Sequence, residues 1–201
     1  MSSELNKKLD KVLETVAVSG AISGYQLKNV LGVPLSTAQR WLLILKRSGH
    51  VTLYETKTRP IKRKLYGLTF LGLLDSLSLP RVEKNFSKVF EAFISSLPTE
   101  KGIENRLKTD LLEAVKDETV LNGLKEYYLA IADALVDLEN PKSLPLETLT
   151  MLASYLASIR EPDRMMSILK DLYPKVLFIR LVVDAYRKYA SDLDKIVKGE
   201  I

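Results

Sequence analysis

Apolar residues recur at helical spacing from Glu4 to Val18, at Leu5, Leu9, Val12, Leu13 and Val16, and predict a first amphipathic helix that Ser19-Gly20 ends. Ser23 is a good N-cap for a short second helix, Gly24 to Leu31, with Leu27, Val30 and Leu31 apolar. Pro34 cannot sit inside a helix, so it separates this segment from the next. In the third helix Ser36 offers an N-cap with Gln39 as capping-box partner. Ala38, Trp41, Leu42 and Leu45 recur on one face, which predicts burial. Ser36, Arg40, Leu43 and Arg47 then point outward, flanked by Thr37, Gln39 and Lys46. Ser48-Gly49 stops the helix, because glycine readily adopts the left-handed conformation of a helix end.

The period then changes. Val51 to Lys57 and Ile61 to Leu68 read as two strands joined by a turn at Thr58-Arg59-Pro60, with Lys62, Arg63 and Lys64 near that turn. Thr69 caps a fourth helix, Phe70 to Leu77, and Pro80 marks a boundary. Beyond it every segment reads as helix. Arg81 to Leu97 carries Val82, Phe86, Val89, Phe90, Phe93 and Ile94 on one face. Glu100 to Asp117, Glu118 to Glu139 and Pro145 to Arg160 follow. Asp163 caps a short helix to Tyr173, and Pro174 suits the first turn of a last helix running to about Val197. Val176 to Val183 is apolar nearly all round, the pattern of a helix central to a core or buried in an interface.

Helix, turn, helix, hairpin, helix is the order of a winged helix. The run VPLSTAQRWLLILKRSGHV and the run LYGLTFLG carry a resemblance to the winged helix-turn-helix regulators, such as the MarR, PadR and ArsR families. The second run is similar to their Y-x-L-T-x-x-G. The resemblance covers roughly the first eighty residues. The expected fold is therefore mainly α. A winged helix of three helices plus a β-hairpin spans residues 1–79, and an all-helical dimerisation or effector domain spans residues 80–201.

Charge sharpens this picture. The net charge is +5, and Met1 to Leu79 holds 12 Lys+Arg against 5 Asp+Glu, while the rest holds 18 against 20. Arg40, Lys46, Arg47, Lys57, Arg59, Lys62, Arg63 and Lys64 are opposed only by Glu55. A concentrated basic face is the electrostatic footprint of phosphate binding, whereas a charge run by itself is a solvated surface. Coincidence with the third helix and the hairpin favours the first meaning. Tyr25 and Lys28 are placed to reach a DNA backbone, although Tyr25 also suits a packing role. Leu43 suits a thymine methyl or another protein surface. His50, the one histidine, reads as structural or solvated, because no partner for it is visible along the chain.

Other chemistry is thinly represented. There are no cysteines, which removes disulfides and thiolate metal sites and suits a reducing compartment. One histidine and no cysteine leave no metal site to expect, and no cofactor motif is present. Glu104, Asp110, Glu113, Asp117 and Glu118 alternate with lysines as on a solvated helix face, so no enzyme is expected. The N-terminus lacks the apolar core of a signal peptide, and the uncharged runs fall short of the ~18 residues a membrane span needs. The expectation is a cytoplasmic transcription regulator that binds double-stranded DNA through Ser36, Thr37, Gln39, Arg40, Leu43, Lys46, Arg47, Arg59, Lys62, Arg63 and Lys64. A homodimer held after Pro80 and a small-molecule or protein effector complete it. A general DNA-binding or chromatin component, or a protein-binding adaptor, are the alternatives.

Overall fold

A computed structural model describes residues 3–56, 63–96, 103–135 and 146–198. The chain is mainly helical, with a small two-stranded antiparallel sheet. It divides into two compact units. One comprises Met1–Pro98 with Leu135–Leu149, the other Thr99–Ala134 with Thr150–Ile201.

In the first unit, α1 (Ser3–Ser19) is the element on which the others pack. Leu9, Val12, Leu13, Val16 and Ala17 are all buried, the stripe that the spacing predicted. α2 (Gly24–Leu31), α3 (Leu35–Arg47), α4 (Phe70–Ser76), α5 (Pro80–Lys84) and α6 (Phe86–Ser96) each contact it. The hairpin strands β1 (Val51–Thr56) and β2 (Arg63–Leu68) pair from Val51 opposite Leu68 to Thr56 opposite Arg63. The turn expected at Thr58-Arg59-Pro60 lies outside the described residues. Ile22 bridges the other side of β2: its N–H donates to the Tyr66 carbonyl at 2.9 Å, and Tyr66 N–H donates back at 2.8 Å. This ties the link between α1 and α2 to the sheet.

Three expectations change here. Arg81 to Leu97 is two helices, α5 and α6, broken at Asn85, whose side-chain amide donates to the Arg81 carbonyl at 2.7 Å. Both pack on α1, so they belong to the first unit even though they follow Pro80. Pro80 occupies the first turn of α5, where its missing N–H costs nothing, and α4 has already ended at Ser76. Phe86, Phe90 and Phe93 are buried, with Phe86 stacked on Phe90 at 5.4 Å between centroids. They close a core and offer no surface to a second chain.

The second unit is built from α7 (Ile103–Ala114), α8 (Glu118–Leu135) up to Ala134, α9 (Leu146–Arg160) from Thr150 onward, α10 (Pro162–Leu172) and α11 (Leu177–Lys198). Asp117, expected inside a helix, instead caps α8, accepting from the N–H groups of Thr119 and Val120. These bonds hold its carboxyl below the usual range, with Lys175 adding to them. Asp163 is not a cap; Pro162 opens α10 after Glu161. Pro174 lies in the turn ahead of α11, whose first N–H, on Leu177, is taken by Asp110 from α7 at 2.8 Å. Val176 and Ile179 are fully buried, so the apolar run lies partly in a core, while Leu181 is exposed. Tyr127 and Ser154 bond hydroxyl to hydroxyl at 2.6 Å among Leu124, Ile131 and Ala153. Burial drives the Tyr127 hydroxyl far above its ordinary pKa, so it stays neutral.

Candidate nucleic-acid interface

α2 starts on a complete capping box. Ser23 Oγ accepts from Gln26 N–H at 3.2 Å, and Gln26 Oε1 accepts from Ser23 N–H at 2.9 Å. It ends at Gly32, whose φ of 66° closes the turn. α3 follows after Val33-Pro34. The cap expected at Ser36 does not form: Leu35 is already helical, Pro34 is the N-cap, and its carbonyl accepts from Ala38 N–H at 3.1 Å. Pro34 has a favourable φ for that position, and its missing N–H would be unpaired there in any case. Ser36 is thus a first-turn residue with its side chain exposed.

The faces of α3 divide as their spacing predicts. Ala38, Leu42 and Leu45 are buried, and Trp41 is half-buried on the same side. Ser36, Gln39, Arg40, Leu43, Lys46 and Arg47 are exposed, and Thr37 is intermediate. Residues 36, 40, 43 and 47 succeed one another at three and four positions, so they form one stripe along the helix. The ion pairs among the described residues of the first unit lie elsewhere, at Lys8–Glu4, His50–Asp75 and Arg81–Glu14. Among the described residues none neutralises Arg40, Lys46 or Arg47. Leu43 is 45% exposed in the middle of the stripe, and Leu35 and Val30 are exposed nearby in sequence. Tyr25, at 60% exposure, is not a core residue; Lys28 Nζ sits 5.3 Å from its ring centroid.

The hairpin residues are described only in part. Lys64 is exposed and stands opposite Glu55 in the ladder. Arg63 opens β2, but its side chain, and all of Lys57, Arg59 and Lys62, lie outside the described residues.

The corner behind α3 holds it to the sheet and to α4. Gly49, with φ 82°, turns the chain, and Thr69 Oγ donates to the Gly49 carbonyl at 2.6 Å while accepting from Gly72 N–H at 3.0 Å. Thr69 N–H donates to the His50 carbonyl at 3.0 Å. The Thr-x-x-Gly of LYGLTFLG is therefore a cap and a spacer in one. A Cβ on Gly72 would stand 1.9 Å from the His50 carbonyl oxygen. His50 does have partners. Its Nε2 is 2.5 Å from Asp75 Oδ2 and its Nδ1 is 2.6 Å from Ser48 Oγ. This clamp between the end of α3 and α4 had no signal along the chain, because Asp75 is remote from His50 in sequence.

No protein-family model matches the chain, and no curated protein matches it in sequence. No described helix is long and apolar enough to cross a membrane. α3 is about 20 Å long at 1.5 Å per residue and carries a cationic stripe around one leucine on its exposed side. An α-helix fits the major groove of B-form DNA.

Proposed function

We propose that the protein is a DNA-binding transcription regulator whose first 79 residues act as a winged helix. The observation that carries this is the α3 stripe: Arg40, Lys46 and Arg47 are exposed and have no acidic partner among the described residues. Cations left without partners on a rigid helix are primed for phosphates and base edges, since release of counterions from DNA drives such binding. In this reading Ser36, Thr37, Gln39 and Arg40 meet bases or phosphates, and Leu43 meets a thymine methyl. Lys46 and Arg47 hold the backbone, and Arg59, Lys62, Arg63 and Lys64 follow the flanking groove. The protein works in the cytoplasm as a homodimer, without catalysis, and its second unit carries an effector response.

One observation favours a second reading. Leu43, Leu35, Val30 and Tyr25 are exposed apolar side chains on the same two helices, which suits a protein-docking adaptor. Selection of bound sequences from random duplex DNA separates the accounts, combined with affinity measured across salt concentrations. The regulator enriches a defined sequence and binds it with a steep inverse salt dependence. Equal affinity for all duplexes makes it a general DNA-binding component. Absence of duplex binding at low salt leaves the adaptor.

A further inference from the structure

The second unit contains a trough whose occupancy can be tested independently of DNA contact by α3. Three helices each give it one face. α10 contributes Met166, Leu169 and Tyr173, α9 contributes Tyr155, and α11 contributes Val183 and Tyr186. Spacings of three and four residues keep each set on one side of its helix. The volume is about 510 Å³, within the ~300–1,000 Å³ of small-molecule sites. Met166 is 67% exposed and Tyr155 49%, so apolar surface stands open to water where a core would have closed over it.

The charged side chains on the lining are both cations, Lys170 and Arg187. Arg187 lies over the Tyr173 ring at 5.3 Å, with Nη1 3.5 Å from the Tyr173 hydroxyl. That hydroxyl donates to Asp184 at 3.2 Å, and Asp184 is 3.8 Å from Arg187, a loose pair at an exposed position. Lys170, one turn before Tyr173 on α10, has no carboxylate partner among the described residues. Burial pushes the Tyr186 hydroxyl up to about 12, so it remains a neutral donor at the wall.

We infer that this trough binds a small amphipathic organic anion, its flat apolar body against Tyr155, Met166, Leu169 and Tyr186 and its acid group at Lys170 and Arg187. Rings and thioether supply a polarizable bed for an aromatic or acyl body. The two cations of the lining select the charge.

The test uses the full chain and two fluorescent probes of matched shape. One is anionic, 1-anilinonaphthalene-8-sulfonate, and one neutral, N-phenyl-1-naphthylamine. Both should bind saturably at one site per chain, and Met166→Glu, at an exposed position, should abolish both. Lys170→Met should weaken the anionic probe by about fivefold, as an exposed ion contact of ~1 kcal/mol implies, and leave the neutral probe unchanged. Urea midpoints equal to that of the wild type establish that both variants are folded; if Met166→Glu is not, Tyr155→Gln takes its place. Non-saturable binding, binding that survives Met166→Glu, or a Lys170→Met effect equal on both probes overturns the inference. So does a chain that sediments as a dimer and becomes monomeric on Met166→Glu, which would assign the trough to a second copy.

Discussion

In the proposed DNA-binding role, Arg40 is the residue on which base recognition would turn. It stands exposed one turn into α3, with Leu43 beside it and no acid to hold it back. A guanidinium there can make two parallel bonds to a guanine edge, worth ~1–3 kcal/mol of discrimination. Arg40→Ala should weaken binding to the selected duplex and flatten its base preference, measured by titration against single-base variants of that duplex. Wild-type affinity and preference in the mutant would remove Arg40 from the interface. Gly72 answers to packing alone. With the His50 carbonyl 1.9 Å from the place of a Cβ, Gly72→Ala must move backbone, and should lower stability by about 3 kcal/mol in urea unfolding. A loss under about 1 kcal/mol would mean that the corner yields easily. These two residues differ in how readable they are from sequence. The exposure of Arg40 follows from helical period, because Ala38, Leu42 and Leu45 had to face inward. The pairing of His50 with Asp75 follows from nothing local; it exists because β1 and β2 bring α4 back beside the end of α3.

At the level of elements, two serines with similar local signals have opposite roles. Ser23 completes a capping box; Ser36, also followed three positions on by glutamine, caps nothing. Ser23→Ala should cost ~1 kcal/mol of stability, and Ser36→Ala within about 0.5 kcal/mol of none, both read from thermal or urea midpoints. Equal losses would mean that Ser36 caps α3 in solution. The difference has a physical source. Pro34, two residues before Ser36, does not only separate the two helices; its carbonyl accepts the first helical bond. The break between α5 and α6 was equally hidden, because Asn85 interrupts an apolar period with neither proline nor glycine. By contrast the start of α2 was readable from Ser23, and its range Gly24–Leu31 is as expected. The hairpin carries its own prediction. If Lys62 and Lys64 meet phosphates, their double alanine variant should make the slope of log affinity against log salt shallower by roughly 1.8, with base preference intact. An unchanged slope would put the hairpin off the DNA.

For the whole molecule the question is assembly. One helix reads a short site, so two copies reading half-sites about 34–36 Å apart would multiply selectivity. Phe86, Phe90 and Phe93, which follow Pro80, are spent inside the first unit. The proposed pairing would then fall to the second unit, where Ile159 and Leu181 are exposed apolar side chains outside the trough. The full chain should sediment as a dimer at micromolar concentration, and Ile159→Glu with Leu181→Glu should make it monomeric. A monomeric wild type rules the dimer out; a dimer that survives both changes lies elsewhere. The sequence showed that charge was uneven between its two parts, a property that needs only counting. It did not show that the first unit runs past Pro80, because which core a helix joins is decided by α1, far back along the chain.

The corner formed by Gly49, Thr69 and Gly72 bears on how such a chain can drift over generations. Residues 36, 39, 40 and 43 of α3 are exposed, so in the proposed role a descendant could acquire a new target by changes at these positions alone. The corner has no such freedom: the cap, the turn and the missing side chain depend on one another. Lineages diverging from this protein would rewrite what the helix touches and keep the three residues that hold it in place. Ancestry would then be written in positions that make no contact with the proposed target.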